Sequence, residues 1–222
     1  MNKLLIVANL KSYKTEKEAK EWLENFKKIK ELEQNLENKE VIVCPSFTLL
    51  SLFSLYILNN NLPVKLGAQN ISPFDEGAYT GEVNARQIKD FAEFVLIGHS
   101  ERRKNFSEND EMLSRKVNLA LKYTLTPIFL IQGKDTFIPK GVKIIAYEPV
   151  FAIGSGNPDT PENADSIAFS VKLKENGLRV LYGGSITSQN VKSFTEKENL
   201  SGVLVGGASL EAEEFVKIIQ NA

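Results

Sequence analysis

The stretch "RVLYGGSITSQNVKSFTEKENLSGVLVGGASL", residues 179–210, holds two short apolar runs, each ending in a glycine pair. "RVLYG" (179–183) and "GVLVG" (202–206) are almost continuously apolar instead of alternating, as parallel strands buried on both faces should be. Between them Thr187 can cap a helix over 188–198. Strand, glycine turn, helix and strand form a parallel βα unit.

The same grammar runs outward to both ends of the chain. Six more strand candidates are "LLIVAN" (4–9), "EVIVC" (40–44), "VKLGA" (64–68), "FVLIG" (94–98), "PIFLI" (127–131) and "KIIAY" (143–147). Helix signals fill the intervals. Thr15 and Glu18 form a capping box, followed by Ala19, Trp22, Leu23, Phe26 and Ile29 at helical spacing, so Trp22 reads as core packing. Ser107 with Asp110 predicts a helix start, with Leu113, Val117, Ala120 and Leu121 on one side. Thr160 caps and Pro161 takes the first helical position of another. Ser209 can open the last, with Leu210, Phe215, Ile218 and Ile219 as its apolar side. The charges of "KKIKELEQNLENKE" (27–40) read as a solvated face.

Repeated β–α units with no break in composition predict one parallel α/β domain over residues 1–222. Eight strands permit closure into a barrel, with an open doubly wound sheet as the alternative. One interval is irregular. Between "PIFLI" and "KIIAY" lie only eleven residues, "QGKDTFIPKGV" (132–142), broken by Pro139 and Gly141. That is too short for a full crossover helix. Either this crossover is a minimal loop, or one strand is misassigned.

Charge narrows the classes of partner. Twenty-seven basic residues face 28 acidic ones, for a net charge of −1, which gives no electrostatic reason to expect nucleic acid or an anionic membrane. The apolar runs are too short to span a bilayer. "MNKLLIVANLK" reads as a first strand and not as a secretory leader. The single cysteine, Cys44, cannot pair within the chain and reads as a buried, inert thiol. Both features fit a cytoplasmic protein.

In a parallel α/β protein, ligands bind beyond the carboxyl ends of the strands. Asn9 and Lys11 follow the first strand, His99, Ser100 and Glu101 the fourth, and Glu148 the sixth. Gly183-Gly184-Ser185 follows the seventh and Gly206-Gly207 the eighth. One glycine pair is weak evidence, since it can simply make a tight turn. Two pairs after consecutive strands can present backbone N–H groups to a phosphate. They match neither GxxxxGK[ST] nor GxGxxG, so a nucleotide is not favoured.

His99 is the only histidine, and a lone histidine beside a strand is by default structural. Its shared face with Lys11, Glu148 and the glycine turns reverses that reading. The helix that Ser100 and Glu101 can open would disfavour an imidazolium, so His99 is expected to act as a neutral donor. Glu148 is followed by "PVFAIGSG" (149–156), an apolar loop that reads as a lid over a ligand. Beneath it a carboxylate could serve as general base. Lys11 can supply fixed positive charge to an anionic substrate, and nothing nearby favours a Schiff base.

The segments "NLK" (9–11), "GAQN" (67–70), "GAYTGE" (77–82), "IGHSERR" (97–103), "AYEPVFAIGSG" (146–156), "YGGS" (182–185) and "LVGGASL" (204–210) occur in one order along the chain. Together they resemble the triosephosphate isomerase family. The resemblance implies a (β/α)8 barrel that interconverts dihydroxyacetone phosphate and glyceraldehyde 3-phosphate, in glycolysis and gluconeogenesis. It makes Glu148 the base, His99 the group polarising the substrate oxygens, and Lys11 the countercharge. Asn9 would orient Lys11 and substrate, and Glu101 would support the lysine–histidine side. Phosphate would meet N–H groups at Gly154, Ser185, Gly206 and Gly207. No metal or organic cofactor is implied. The third loop, "ISPFDEGAYTGE" (71–82), implies a homodimer, with Thr80 reaching the partner's lysine.

The chain departs from the family at Leu10, usually aromatic, at Phe151, usually Trp, and across "SGNPDTPENA" (155–164), which differs from the common lid hinge. "PIFLIQGK" (127–134) lacks the usual Cys-x-Gly-Glu, with Leu130 in the cysteine's place and Lys134 near the acid's. The helix that should follow this last segment is largely missing, which accounts for the short interval and predicts a barrel that closes with a truncated or missing helix after strand five. Two other readings compete. One is a different sugar-phosphate barrel, which would keep the phosphate turns but not Lys11, His99 and Glu148 together. The other is a degenerate barrel that only binds, against which the retained set argues.

Overall fold

The computed structural model describes residues 3–152, 154 and 156–222, and their side chains except those of residues 33–35. Eight strands form: Leu4–Asn9 (β1), Lys39–Cys44 (β2), Lys65–Ala68 (β3), Phe94–Ile97 (β4), Thr126–Ile131 (β5), Ile144–Tyr147 (β6), Arg179–Tyr182 (β7) and Leu200–Val205 (β8). Each pairs in parallel with the next, and β8 pairs with β1, so the sheet closes. The barrel is therefore the outcome, and not the open sheet. Around it stand Glu16–Phe26 (α1), Leu50–Asn59 (α2), Ala85–Lys89 (α3), Ser100–Asn105 (α4), Asp110–Lys122 (α5), Pro161–Lys172 (α6), Val191–Thr195 (α7) and Ala212–Asn221 (α8).

The period of two along each strand divides the core into two layers. Leu5 and Val7 of β1, with Ile42 and Cys44 of β2, fill the barrel interior with Leu96, Ile128, Leu130 and Leu181. Their neighbours Ile6, Ala8, Val41 and Val43 face the helices. Trp22 lies in that outer layer, its ring centroid 4.5 Å from that of Phe26, and its Nε1–H donates to the Ser209 carbonyl at 2.9 Å. Closure between β1 and β8 requires a glycine at 202. Its φ is +144°, and a Cβ there would sit 1.9 Å from the Leu5 carbonyl oxygen.

Between β5 and β6 the chain forms turns and no helix among residues 132–143. Thr136 Oγ1 accepts the N–H groups of Gln132 and Gly133, each at 3.2 Å, and shapes the first turn. Pro139 and Val142 are buried, and Ile138 packs on the outer core layer. These three side chains supply the apolar cover that a helix face would otherwise give. The minimal-loop reading of this crossover thus stands, and the strand assignments on both sides are right.

Four local expectations need correction. Asn109, and not Ser107, caps α5: its side chain accepts the Met112 N–H at 2.9 Å, and Ser107 has φ +52°. Leu121 lies 41% exposed, and Lys116 takes a buried position on α5 instead. The helix after Thr187 is only Val191–Thr195, because the Asn190 side chain accepts the Thr187 N–H at 2.9 Å and holds a turn there. Ser209 is buried in a 3₁₀ turn over Gly207–Leu210, and α8 begins at Ala212. Ile29 is buried as expected, but in a 3₁₀ stretch beyond the end of α1.

Candidate active site

The carboxyl end of the barrel gathers the polar strand ends. Beyond β1, Lys11 has φ +50°, a backbone state that costs a non-glycine residue free energy. Two hydrogen bonds hold it there, and a third anchors the amide that makes one of them. Asn9 Oδ1 accepts the Lys11 N–H at 3.1 Å, and Gln69 Nε2 donates to the carbonyls of Lys11 at 2.8 Å and Cys44 at 2.9 Å. The side chain then crosses to the first turn of α4, where Nζ meets Glu101 Oε1 at 2.5 Å. With the carboxylate 44% exposed, this pair adds little stability, and its effect is to aim the ammonium.

His99 is itself the cap of α4. Its Nδ1 accepts the Glu101 N–H at 3.2 Å, so the lone pair is there and the ring's single proton sits on Nε2. Nε2 lies 2.9 Å from Glu148 Oε1, and both residues are buried. The other Glu148 oxygen accepts the Ser100 N–H at 3.1 Å. The Glu148 N–H donates to the Ile131 carbonyl at 2.8 Å, extending the β5–β6 ladder by one residue and fixing where the carboxylate starts. Behind this pair Arg103 braces β4 and β5, donating to the carbonyls of Gly98 at 2.8 Å and Leu130 at 3.3 Å.

A cavity of about 310 Å³ opens on this face. Asn9, Lys11, His99, Glu148, Gly154, Ser185, Gly206 and Gly207 all line it. The turn after β7 is tight: a Cβ on Gly184 would lie 2.6 Å from the Tyr182 hydroxyl and 2.9 Å from Ala152 Cβ. Ser185 Oγ donates to the Ala152 carbonyl at 2.6 Å, joining this turn to the loop after Glu148. In that loop Val150 and Phe151 are 61% and 65% exposed. The lid expectation also covers Ile153 and Ser155, which lie outside the described residues.

Glu101 stands behind the cavity and acts on it through Lys11 and His99. Thr80 is exposed on the 71–82 loop and does not line the cavity of its own chain. Several residues were missed by sequence reasoning. Gln69 lay within the quoted "GAQN", which was its signal. Ser209, with the spacing of a helix start, instead donates its Oγ–H to the Gly206 carbonyl at 2.7 Å. Asp159 gave no signal. It is 9% exposed, its N–H donates to the Tyr182 hydroxyl at 2.7 Å, and its Oδ2 accepts from the Tyr147 hydroxyl at 3.1 Å.

Among the described residues no three His, Cys, Asp or Glu side chains are placed to hold a metal ion. No helix among them is long and apolar enough to cross a membrane.

The sequence model of the triosephosphate isomerase family matches residues 4–140 and 137–222. The chain is 38% identical over 257 residues to the triosephosphate isomerase of Dictyoglomus turgidum, covering 100% of both chains. It is 38% identical over 249 residues to that of Aquifex aeolicus, covering 97% of this chain and 98% of the relative. It is 37% identical over 242 residues to that of Trichodesmium erythraeum, covering 99% of each.

Proposed function

The chain belongs to the triosephosphate isomerase family and interconverts dihydroxyacetone phosphate and D-glyceraldehyde 3-phosphate, and from that premise we propose how its own residues do so. Glu148 leaves His99 and the Ser100 N–H when substrate enters, and takes a proton from the carbon next to the carbonyl. The electrons pass to the carbonyl oxygen, giving an enediolate. The Nε2–H of His99 donates to the two substrate oxygens and carries a proton between them. Glu148 then returns its proton to the neighbouring carbon. Protons and electron pairs balance between the substrate and these side chains, so the steps as written call on no oxidant or reductant.

Lys11 supplies the countercharge to phosphate and enediolate, and Asn9 and Glu101 hold it in place. The N–H groups of Gly154, Ser185, Gly206 and Gly207 receive the phosphate. Preset donors of this kind lower a barrier because they need no reorganisation as charge develops. The observation that carries the reading is the 2.9 Å contact of His99 Nε2 with Glu148 Oε1 in the cavity that Lys11 also lines. Base, oxygen donor and cation thus meet within reach of one small ligand.

We further read the protein as a cytoplasmic homodimer serving glycolysis and gluconeogenesis, paired through loop 71–82. Thr80 is exposed at that loop, and the Phe74 and Tyr79 rings beside it stack at 4.3 Å while remaining partly exposed. Such a stiff aromatic projection suits insertion beside the Lys11 of a second copy.

Isomerisation in deuterium oxide, followed by proton NMR, tests the mechanism. Solvent deuterium at the carbon that receives the proton is the expected result. Product free of solvent deuterium, with the substrate still converted, would exclude a side chain that exchanges its proton with water.

A further inference from the structure

The cavity that holds the proposed base and cation has a neighbour. A second cavity of about 520 Å³ opens between α4 and the start of the connection after β5. Ser100, Glu101, Arg103 and Lys104 line it from α4, Gln132 lines it just beyond β5, and Val150 adds an apolar wall. Gln132 opens the helix-free connection over 132–143, which leaves room beside α4. No residue lines both cavities. The size suits a small organic molecule better than a single ion.

The polar lining is unequally matched. Glu101 is already held by Lys11, whose Nζ lies 2.5 Å from Oε1. The cations are less well held. Lys104 is exposed and makes no ion pair or hydrogen bond among the described residues. Arg103 donates to the carbonyls of Gly98 at 2.8 Å and Leu130 at 3.3 Å, and reaches one carboxylate, Asp110, only at 3.5 Å, the outer limit of a hydrogen bond. Its guanidinium carries further N–H groups beyond these. Burial pushes the pKa of Arg103 down, so its charge lacks solvation that a counter-anion would restore. On the same cavity, the Nε2 of Gln132 is buried and has no acceptor among the described residues. A buried amide N–H without an acceptor costs free energy, so all three groups gain by meeting an acceptor.

We propose that this cavity is a second binding site, and that it takes a small organic dianion with two carboxylates. Arg103 offers a planar fork to one carboxylate, and the Gln132 amide donates to the same group. Lys104 meets the other carboxylate as a mobile point charge. The short hydrocarbon span between them lies against Val150. The site goes beyond the isomerase reading and does not depend on it. Its occupant and a triose phosphate bind at the same time, because the two cavities share no lining residue.

Isothermal titration with succinate, and with malonate as a shorter probe, tests this at low ionic strength, where exposed charges are least screened. Wild type, Lys104→Gln and Gln132→Leu are compared, with and without saturating, pre-equilibrated dihydroxyacetone phosphate. The expected result is one succinate per chain, bound equally well whether or not the triose phosphate is present. Lys104→Gln should weaken binding about fivefold, the share of one exposed charge contact. Gln132→Leu should weaken it by a similar factor, the share of one hydrogen bond. Both variants should isomerise at the wild-type rate, since neither residue lines the active cavity. Should Gln132→Leu fail to fold, Lys104→Gln carries the test. No saturable heat with either acid would overturn the proposal. So would equal affinity in every folded protein, or loss of binding on adding triose phosphate, which would put the acid in the catalytic cavity. A wild type that binds succinate as stated but does not isomerise would overturn the isomerase reading alone.

Discussion

The Nε2–H of His99 points at Oε1 of Glu148 across 2.9 Å, so the proposed base rests on the donor it later works beside. Entering substrate must replace that contact with its own oxygens. The Ser100 N–H on the second carboxylate oxygen must also be given up. This parked state keeps both groups ordered inside a cavity whose other charge, Lys11, is already held by Glu101.

Replacing His99 by Gln removes the donor to the oxygens and leaves the base without its resting partner. kcat is expected to fall by roughly 10²–10⁴-fold, the usual share of a positioned acid or base. Steady-state assays in both directions check this. Proton-coupled nitrogen NMR of the wild-type ring should show one proton, on Nε2. A doubly protonated ring at neutral pH would contradict the donor role as assigned here.

Lys11→Ala removes the cation at a partly exposed ion pair. The fold should keep its melting point to within a shift equivalent to about 1 kcal/mol, because exposed pairs contribute little. kcat/KM should drop about 10²–10³-fold, the cost of one preset charge-stabilising group. Similar KM and kcat in the variant would remove Lys11 from the site.

Much of this site was legible because a parallel barrel puts function at one place in every repeat. Asn9 ends its strand, and Lys11, His99, Glu148, Ser185 and Gly206 each follow one, with the apolar run marking where it stops. Cap residues were less legible. Ser107 and Asn109 both precede α5 at plausible spacing, and only the left-handed backbone at Ser107 separates them. Leu121 looked like core because its helix continues the apolar stripe, but the short connection over 132–143 leaves it partly uncovered. Asp159 was beyond reach of pattern: its tyrosine partners lie 12 and 23 positions away, at two other strand ends. Thr80 was readable only through resemblance, and its expected contact lies on another chain.

The connection between β5 and β6 should behave as core despite lacking a helix. Val142 is 0% exposed, and Val142→Ala is expected to destabilise the protein by roughly 1–3 kcal/mol through lost burial and a residual cavity. Urea unfolding with an unchanged slope, beside an unchanged kcat, is the expected pair of readings. A variant as stable as wild type would show that 132–143 merely spans the gap.

Placing acidic residues at the loop tip, with Tyr79→Asp and Thr80→Asp together, should split the proposed dimer. Sedimentation equilibrium is expected to give a dimer for wild type and a single chain for the variant, with kcat/KM falling as Lys11 loses its neighbour across the interface. A wild type that sediments as one chain at micromolar concentration while fully active would contradict the pairing and the role of Thr80.

The coupled isomerase assay on wild type and Glu148→Gln tests the proposed base most directly. The variant keeps the shape of the side chain and its capacity for one acceptor contact, but it cannot take a proton. Wild type should turn over both triose phosphates, with Glu148→Gln lower by roughly 10²–10⁴-fold in kcat and close to wild type in melting temperature. A variant with full activity, or a wild type inactive on both substrates, would contradict it.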